Sequence, residues 1–164
     1  MTPATVTAPA EQRDSVADLF RDTIACVRSD VPDAHARFVA ELDTIAFGLS
    51  IGLETFGLRH GLIGPAPRHA AASLSTNVAT LHALVVGRIA LTTALAERSL
   101  TLIGAPRTIA AIDRSLRLLV HGIVRSPAAP ALMQRLERLA QLAPAESPQS
   151  TERSQPQPQP KEPS

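Results

Sequence analysis

Phe47-Gly48-Leu49-Ser50-Ile51-Gly52-Leu53 alternates large apolar residues with small ones. A period of two is the pattern of a strand, whose successive side chains point to opposite faces. Read as a helix, the same residues set Gly48 and Gly52 one turn apart, a notch that admits a neighbouring backbone. Glycine at alternate positions weakens a strand, and no other stretch reads as its partner. The segment is therefore read as the second half of a helix running from about Asp33 to Leu58. Each glycine there costs about 1 kcal/mol against alanine, which close packing must offset. Gly48 and Gly52, with Phe47 and Phe56 at the ends of the run, become a candidate interaction surface.

The flanking sequence extends the helical reading in both directions. Residues 1–8 read as a flexible arm. Pro9 can open a first helix, in which Val16, Leu19, Phe20, Ile24 and Val27 share a face. Pro32 separates it from the second helix. Gly57, Gly61 and Gly64-Pro65-Ala66-Pro67 make the clearest internal break. A long third helix is expected from about Ala70 to Leu102. One apolar stripe on it holds Leu74, Val78, Leu81, Val85, Ile89 and Ala96, and a second holds Leu84, Leu91, Leu95 and Leu102. Pro106 starts a fourth helix, on which Ile109, Ile112, Leu116, Leu119 and Ile123 follow a 3-4-3-4 spacing like a coiled-coil seam. Ser126-Pro127 caps a short fifth, with Leu132, Leu136, Leu139 and Leu142 as its stripe. After Pro144 only Ser, Gln, Pro and Glu dominate, a composition that cannot build a core. The expectation is an all-α bundle of four main helices and a short fifth over residues 9–143, followed by a disordered tail over 144–164.

Composition narrows the function classes. A chain of 164 residues with 45% hydrophobic content fills one domain. Cys26 is the single cysteine, so no internal disulfide exists, and it reads as a small buried hydrophobe. The first ten residues lack the basic and apolar regions of a secretory signal, and the apolar runs are too short or too interrupted by charge to span a bilayer. A cytoplasmic location is expected. His35, His60, His69, His82 and His121 never stand three or four residues apart, the spacing that brings two ligands to one metal on a helix. No nucleophile elbow, phosphate loop or dinucleotide fingerprint occurs. Asp43 and Glu54, about 16 Å apart on a helix, cannot act as a catalytic pair. No enzyme activity, metal or cofactor is expected. The Arg-His pairs Arg59-His60 and Arg68-His69 flank the Gly/Pro loop and could hold an anion, although a solvated basic loop is the better reading.

Charge is unevenly placed. Residues 1–58 carry four Arg against nine acids, and residues 59–143 carry ten Arg against three acids. Arg107, Arg114 and Arg117 of the fourth helix are the basic candidates for contact with an anionic partner. No aromatic interleaves with these arginines and Lys is nearly missing, which argues against nucleic acid.

The function expected from these features is a non-enzymatic helical interaction or structural protein. It would self-associate, or bind a helical protein partner, through helices two and three. In gross architecture, Ala/Leu-rich amphipathic helices followed by a Pro-rich tail, the chain resembles bacterial phasins. That resemblance rests on composition and implies attachment to a granule or membrane surface. A helical DNA-binding regulator, with Leu102–Arg114 as turn and helix, is the third expectation.

Overall fold

The computed structural model describes residues 14–143; the arm at 1–8, the proposed start of the first helix at Pro9 and the tail at 144–164 lie outside them. Within that span the chain is not an all-α bundle. It holds a five-stranded mixed sheet and six helices. They follow as α1 (Val16–Asp30), α2 (Pro32–Glu41), β1 (Phe47–Ile51), β2 (Glu54–Arg59), β3 (Leu62–Gly64), β4 (Ala72–Thr76), α3 (Val78–Val85), α4 (Leu91–Ala96), β5 (Leu100–Gly104), α5 (Pro106–Val124) and α6 (Ala129–Leu142).

The period-two segment is strand β1. Phe47, Leu49 and Ile51 are buried on one face, while Gly48 and Ser50 occupy the other. Its partners were hidden inside the expected helices. The expected second helix ends as α2 at Glu41, and the rest of it is β1 and β2. The expected third helix divides into β4, α3, α4 and β5. The strand order is β3-β2-β1-β4-β5, with β1 and β4 parallel and every other pair antiparallel. Hairpin geometry explains the first turn. Gly52 has φ +59°, and Gly52-Leu53 links β1 to β2 as a two-residue loop with glycine first, the arrangement of a type II′ turn. His60 and Gly61, both at positive φ, link β2 to β3 as another two-residue loop, here with the backbone of a type I′ turn. The helical notch of Gly48 and Gly52 therefore does not exist. One glycine lies in a strand and the other in a turn.

The core lies between the sheet and the helices. Phe47, Leu49, Ile51, Phe56, Leu58 and Ala72 meet Val16, Leu19, Ile24 and Val27 of α1, Phe38 of α2 and Ile112 and Leu119 of α5. Phe20 and Phe56 stack at a tilt, ring centroids 5.6 Å apart. The helix expected from Pro106 is present as α5, with that proline in its first turn. Where α5 crosses α1, a Cβ on Gly122 would stand 2.5 Å from Val27 Cγ1, so glycine sets how closely the two helices approach.

The opposite sheet face is built from small residues for a stated reason. Passing from β3, at one edge, to β4 requires the chain to cross β2 and β1. It does so directly over Gly57 and Gly48, with Pro65 and Pro67 on the first and Ala70 on the second. Beyond the crossing, Thr55, Ser50, Ser75 and Thr101 stand in register across four strands.

Helix ends are fixed by side chains. Ser15 accepts from the Asp18 amide at the start of α1. Its hydroxyl also donates to the Asp18 carboxylate. This hydrogen bond is the leading cause of a lowered Asp18 pKa; desolvation opposes it, and Arg21 and then Arg135 lower it further. Asp18 therefore stabilises the fold above its ordinary value of 3.8, and that contribution fades as pH falls through the depressed pKa. Asp18→Asn should leave stability at pH 3 closer to wild type than at pH 6, read by urea titration at both values. Arg135 ties α6 to α1. Its guanidinium donates to Asp22, and its Nε lies 3.0 Å from Asp14 Oδ1 without the alignment of a hydrogen bond. Cys26 is half-buried rather than fully buried. Desolvation, then Asp30 and Asp22, push its thiol pKa up, away from a reactive thiolate.

Candidate functional site: an apolar cleft beyond the parallel strands

Strands β1 and β4 run in the same direction, so their carboxyl ends lie side by side at Ile51 and Thr76. In open α/β sheets, ligands often settle in the crevice outside the carboxyl ends of parallel strands, which makes the corresponding place in this sheet a candidate. Here it is a cleft of about 360 Å³, lined by Val16, Ile51, Leu53, Val78, Leu139 and Leu142, together with Gly52, Ala143 and three polar residues. That volume falls within the range of about 300–1,000 Å³ typical of small-molecule sites.

Four elements build it. The β1–β2 turn supplies Gly52 and Leu53, the start of α1 supplies Val16, the start of α3 supplies Val78, and the end of α6 supplies Leu139 and Leu142. Leu53 and Leu142 stand at the mouth, 88% and 78% exposed, whereas Val16 and Ile51 form the buried floor. Two large apolar side chains thus stand in water side by side with an apolar cleft.

The polar residues of the cleft are already committed. Glu54 accepts from the Val16 amide at 2.7 Å and the Ala17 amide at 3.1 Å, satisfying the first turn of α1. Asn77 accepts from the Thr80 amide at 2.7 Å and caps α3. Asp14 is paired with Arg135 and Arg138. What the cleft offers a ligand is therefore apolar surface, with carboxylates held back against the backbone and arginines.

Of the interaction residues singled out from sequence, only Gly52 lines this cleft. Phe47 and Phe56 are core residues, 0% and 4% exposed, and Gly48 lies under the crossing loop. Arg114 pairs with Glu41 across α2 and α5 at 3.0 Å, and Arg117 pairs with Asp113 within α5 at 2.9 Å. Both line an open groove with Arg37 and His121, whereas Arg107 is exposed in the first turn of α5, outside that lining. Leu53, Val78, Leu139 and Leu142 were missed as site residues because each fitted an apolar helical stripe or run. Gly52 followed by Leu53, a glycine-first hairpin turn, was the signal that could have exposed the cleft.

The three functional expectations fail with the bundle. Self-association through helices two and three has no such helices to use. Granule attachment of the phasin kind needs long amphipathic helices and an exposed Phe47–Phe56 run, but that run forms β1 and β2, with its phenylalanines in the core. The proposed DNA-reading helix-turn-helix has no preceding helix, since Leu102 lies in β5. Among the described residues no helix is long and apolar enough to cross a membrane.

No family model matches the chain, and no curated protein matches it. Among solved structures it is similar to the apo form of sterol carrier protein 2 from Yarrowia lipolytica, at 18% identity and a TM-score of 0.44, covering 63% of this chain and 88% of that one. It is also similar to a conserved hypothetical protein from Thermus thermophilus described as possibly a sterol carrier protein. That match has 18% identity and a TM-score of 0.42, and covers 68% of this chain and 90% of that one. Overlays this loose assign the chain neither a family nor a ligand.

Proposed function

We propose that the protein binds a small apolar molecule, of the size and character of an acyl chain, in the cleft beyond β1 and β4, and that it does so without catalysis. The observation that carries this reading is the combination of an apolar lining with polar neighbours that are all engaged elsewhere. Glu54 and Asn77 cap helices and Asp14 is ion-paired, so none is left unpartnered to act as acid, base or nucleophile. Binding would cover Leu53 and Leu142, whose burial is worth about 1.5–3 kcal/mol per side chain when complete.

The test is titration of the full chain with a fluorescent long-chain fatty acid, and with a fluorescent sterol as a second probe. The chain has no Trp or Tyr to interfere with probe emission. Leu53→Asp combined with Leu142→Asp should weaken binding by about tenfold or more while leaving the far-ultraviolet circular dichroism unchanged, because both residues are exposed. Equal binding by this variant, or no saturable binding by the native chain, would overturn the proposal.

A further inference from the structure

A second cleft, of about 260 Å³, lies between α1, α2 and the β2–β3 turn, remote from the residues that line the first. Its charged and titratable lining is entirely basic: Arg21 and Arg28 from α1, His35 from α2 and His60 from the turn. Its apolar floor is Ile24, which is buried, with the half-buried Ile63, while Ala25 and Leu62 of the lining are exposed. The convergence follows from packing. A Cβ on Gly61 would stand 2.5 Å from Val39 Cγ2, so the hairpin tip is pressed against α2 and carries His60 with it. His60 itself takes the left-handed conformation, φ 51°, a region where histidine is enriched among non-glycine residues.

Acids outside the lining offset part of this charge. Asp18 holds Arg21, and Asp43 stands 3.7 Å from His60 Nδ1, but neither lines the cleft. Among the described residues Arg28 has no ion-pair partner. Two guanidiniums and two imidazoles over an apolar floor match a phosphate group carried on an apolar substituent. The arginines would supply forked donors to the phosphate oxygens, and the floor would cover the substituent.

We infer that this cleft is a site for a phosphate monoester with an apolar group, independent of the apolar ligand proposed above. The free site is tuned away from charge at His35. Burial, and then the neighbouring Arg28, lower its pKa below 6.5, so its imidazole is neutral at neutral pH. A bound phosphate would favour the imidazolium on both histidines. Each unit by which the anion raises a histidine pKa is worth tenfold in affinity once that histidine is protonated, while the ester's own second ionisation, at about pH 6, lowers its charge over the same range.

The experiment follows the histidine ring protons of the full chain by nuclear magnetic resonance, against pH, with inorganic phosphate, hexyl phosphate or neither. The expected result is an upward shift of the His35 and His60 midpoints with both anions, and tighter binding of hexyl phosphate than of inorganic phosphate. Arg28→Ala should weaken hexyl phosphate binding about tenfold, and Arg28→Lys should weaken it less, since one lost charge-assisted pair is worth about that much. Arg28 is exposed, so both variants should fold. Vesicles containing phosphatidic acid separate the sources. Binding to the soluble ester alone assigns a free phosphate ester, and binding to vesicles as well assigns a lipid headgroup; either supports the site. Unmoved histidine midpoints, equal affinity for the two phosphates, or unchanged binding by Arg28→Ala would overturn it.

Discussion

Phe47→Glu should abolish cooperative folding. Phe47 is fully buried at the middle of the sheet, paired in register with Leu58 on one side and Ala72 on the other. The substitution removes an aromatic side chain from the core, worth about 3–5 kcal/mol on truncation alone. It also places a carboxylate among the apolar side chains of the core, a further cost of several kcal/mol. The total approaches the whole stability of about 5–15 kcal/mol expected for a single domain. Urea titration followed by circular dichroism should show no folded baseline at neutral pH, with partial recovery on acidification as the carboxyl group is neutralised. A variant with the native midpoint would place Phe47 at a surface and contradict the sheet.

The second large effect is at Gly57. A Cβ there would stand 2.7 Å from both the Pro65 carbonyl oxygen and Pro67 Cδ. The obstruction is backbone and a proline ring, neither of which can rotate away, so the crossing segment must lift as a unit. Gly57→Ala should cost about 1–3 kcal/mol, the usual range for overpacking. Gly64→Ala makes the control. Gly64 faces Gly57 in the register, yet nothing lies within 4 Å of its added Cβ. Its urea midpoint should stay near the native value. If the two substitutions cost the same, the crossing over Gly57 is not the constraint described here.

The helices flanking the sheet were legible because local signals and packing agree in them. Pro32 and Pro106 each begin a helix, and the expected face of α1 is the face it buries at Val16, Leu19, Ile24 and Val27. The strands were not, although the alternation in β1 was visible. The pattern was set aside because its glycines weaken a strand in isolation. Tertiary structure supplied the missing term. Those glycines make room for the crossing loop, and the partners of β1 are short segments that also fit helical periodicity. Leu74 and Leu102 both fell on stripes of the expected third helix, but they face each other across β4 and β5. The 3.6-residue and two-residue periods share enough matches over five residues for either to be read there. The site was less legible still. Its lining comes from separated elements, and its polar members cap helices or pair with arginines, roles that no spacing rule distinguishes from surface chemistry. His60 was noticed beside Arg59, yet His35, Arg21 and Arg28 reach its neighbourhood only through the packing of the hairpin on α2.

The order of strands in the sheet also sets an order of events in time. β1, β2 and β3 are joined by two-residue turns, so their pairing closes only short loops and can form within microseconds. The parallel pairing of β1 with β4 matches Phe47 with Ala72 and must wait for the chain between them to double back across the nascent meander. On this ordering the proline-flanked crossing is the expected step at which the sheet grows past three strands. Mutations at Gly57 should slow folding as well as weaken the product, whereas changes on the far side of β5 should act mainly on the rate of unfolding.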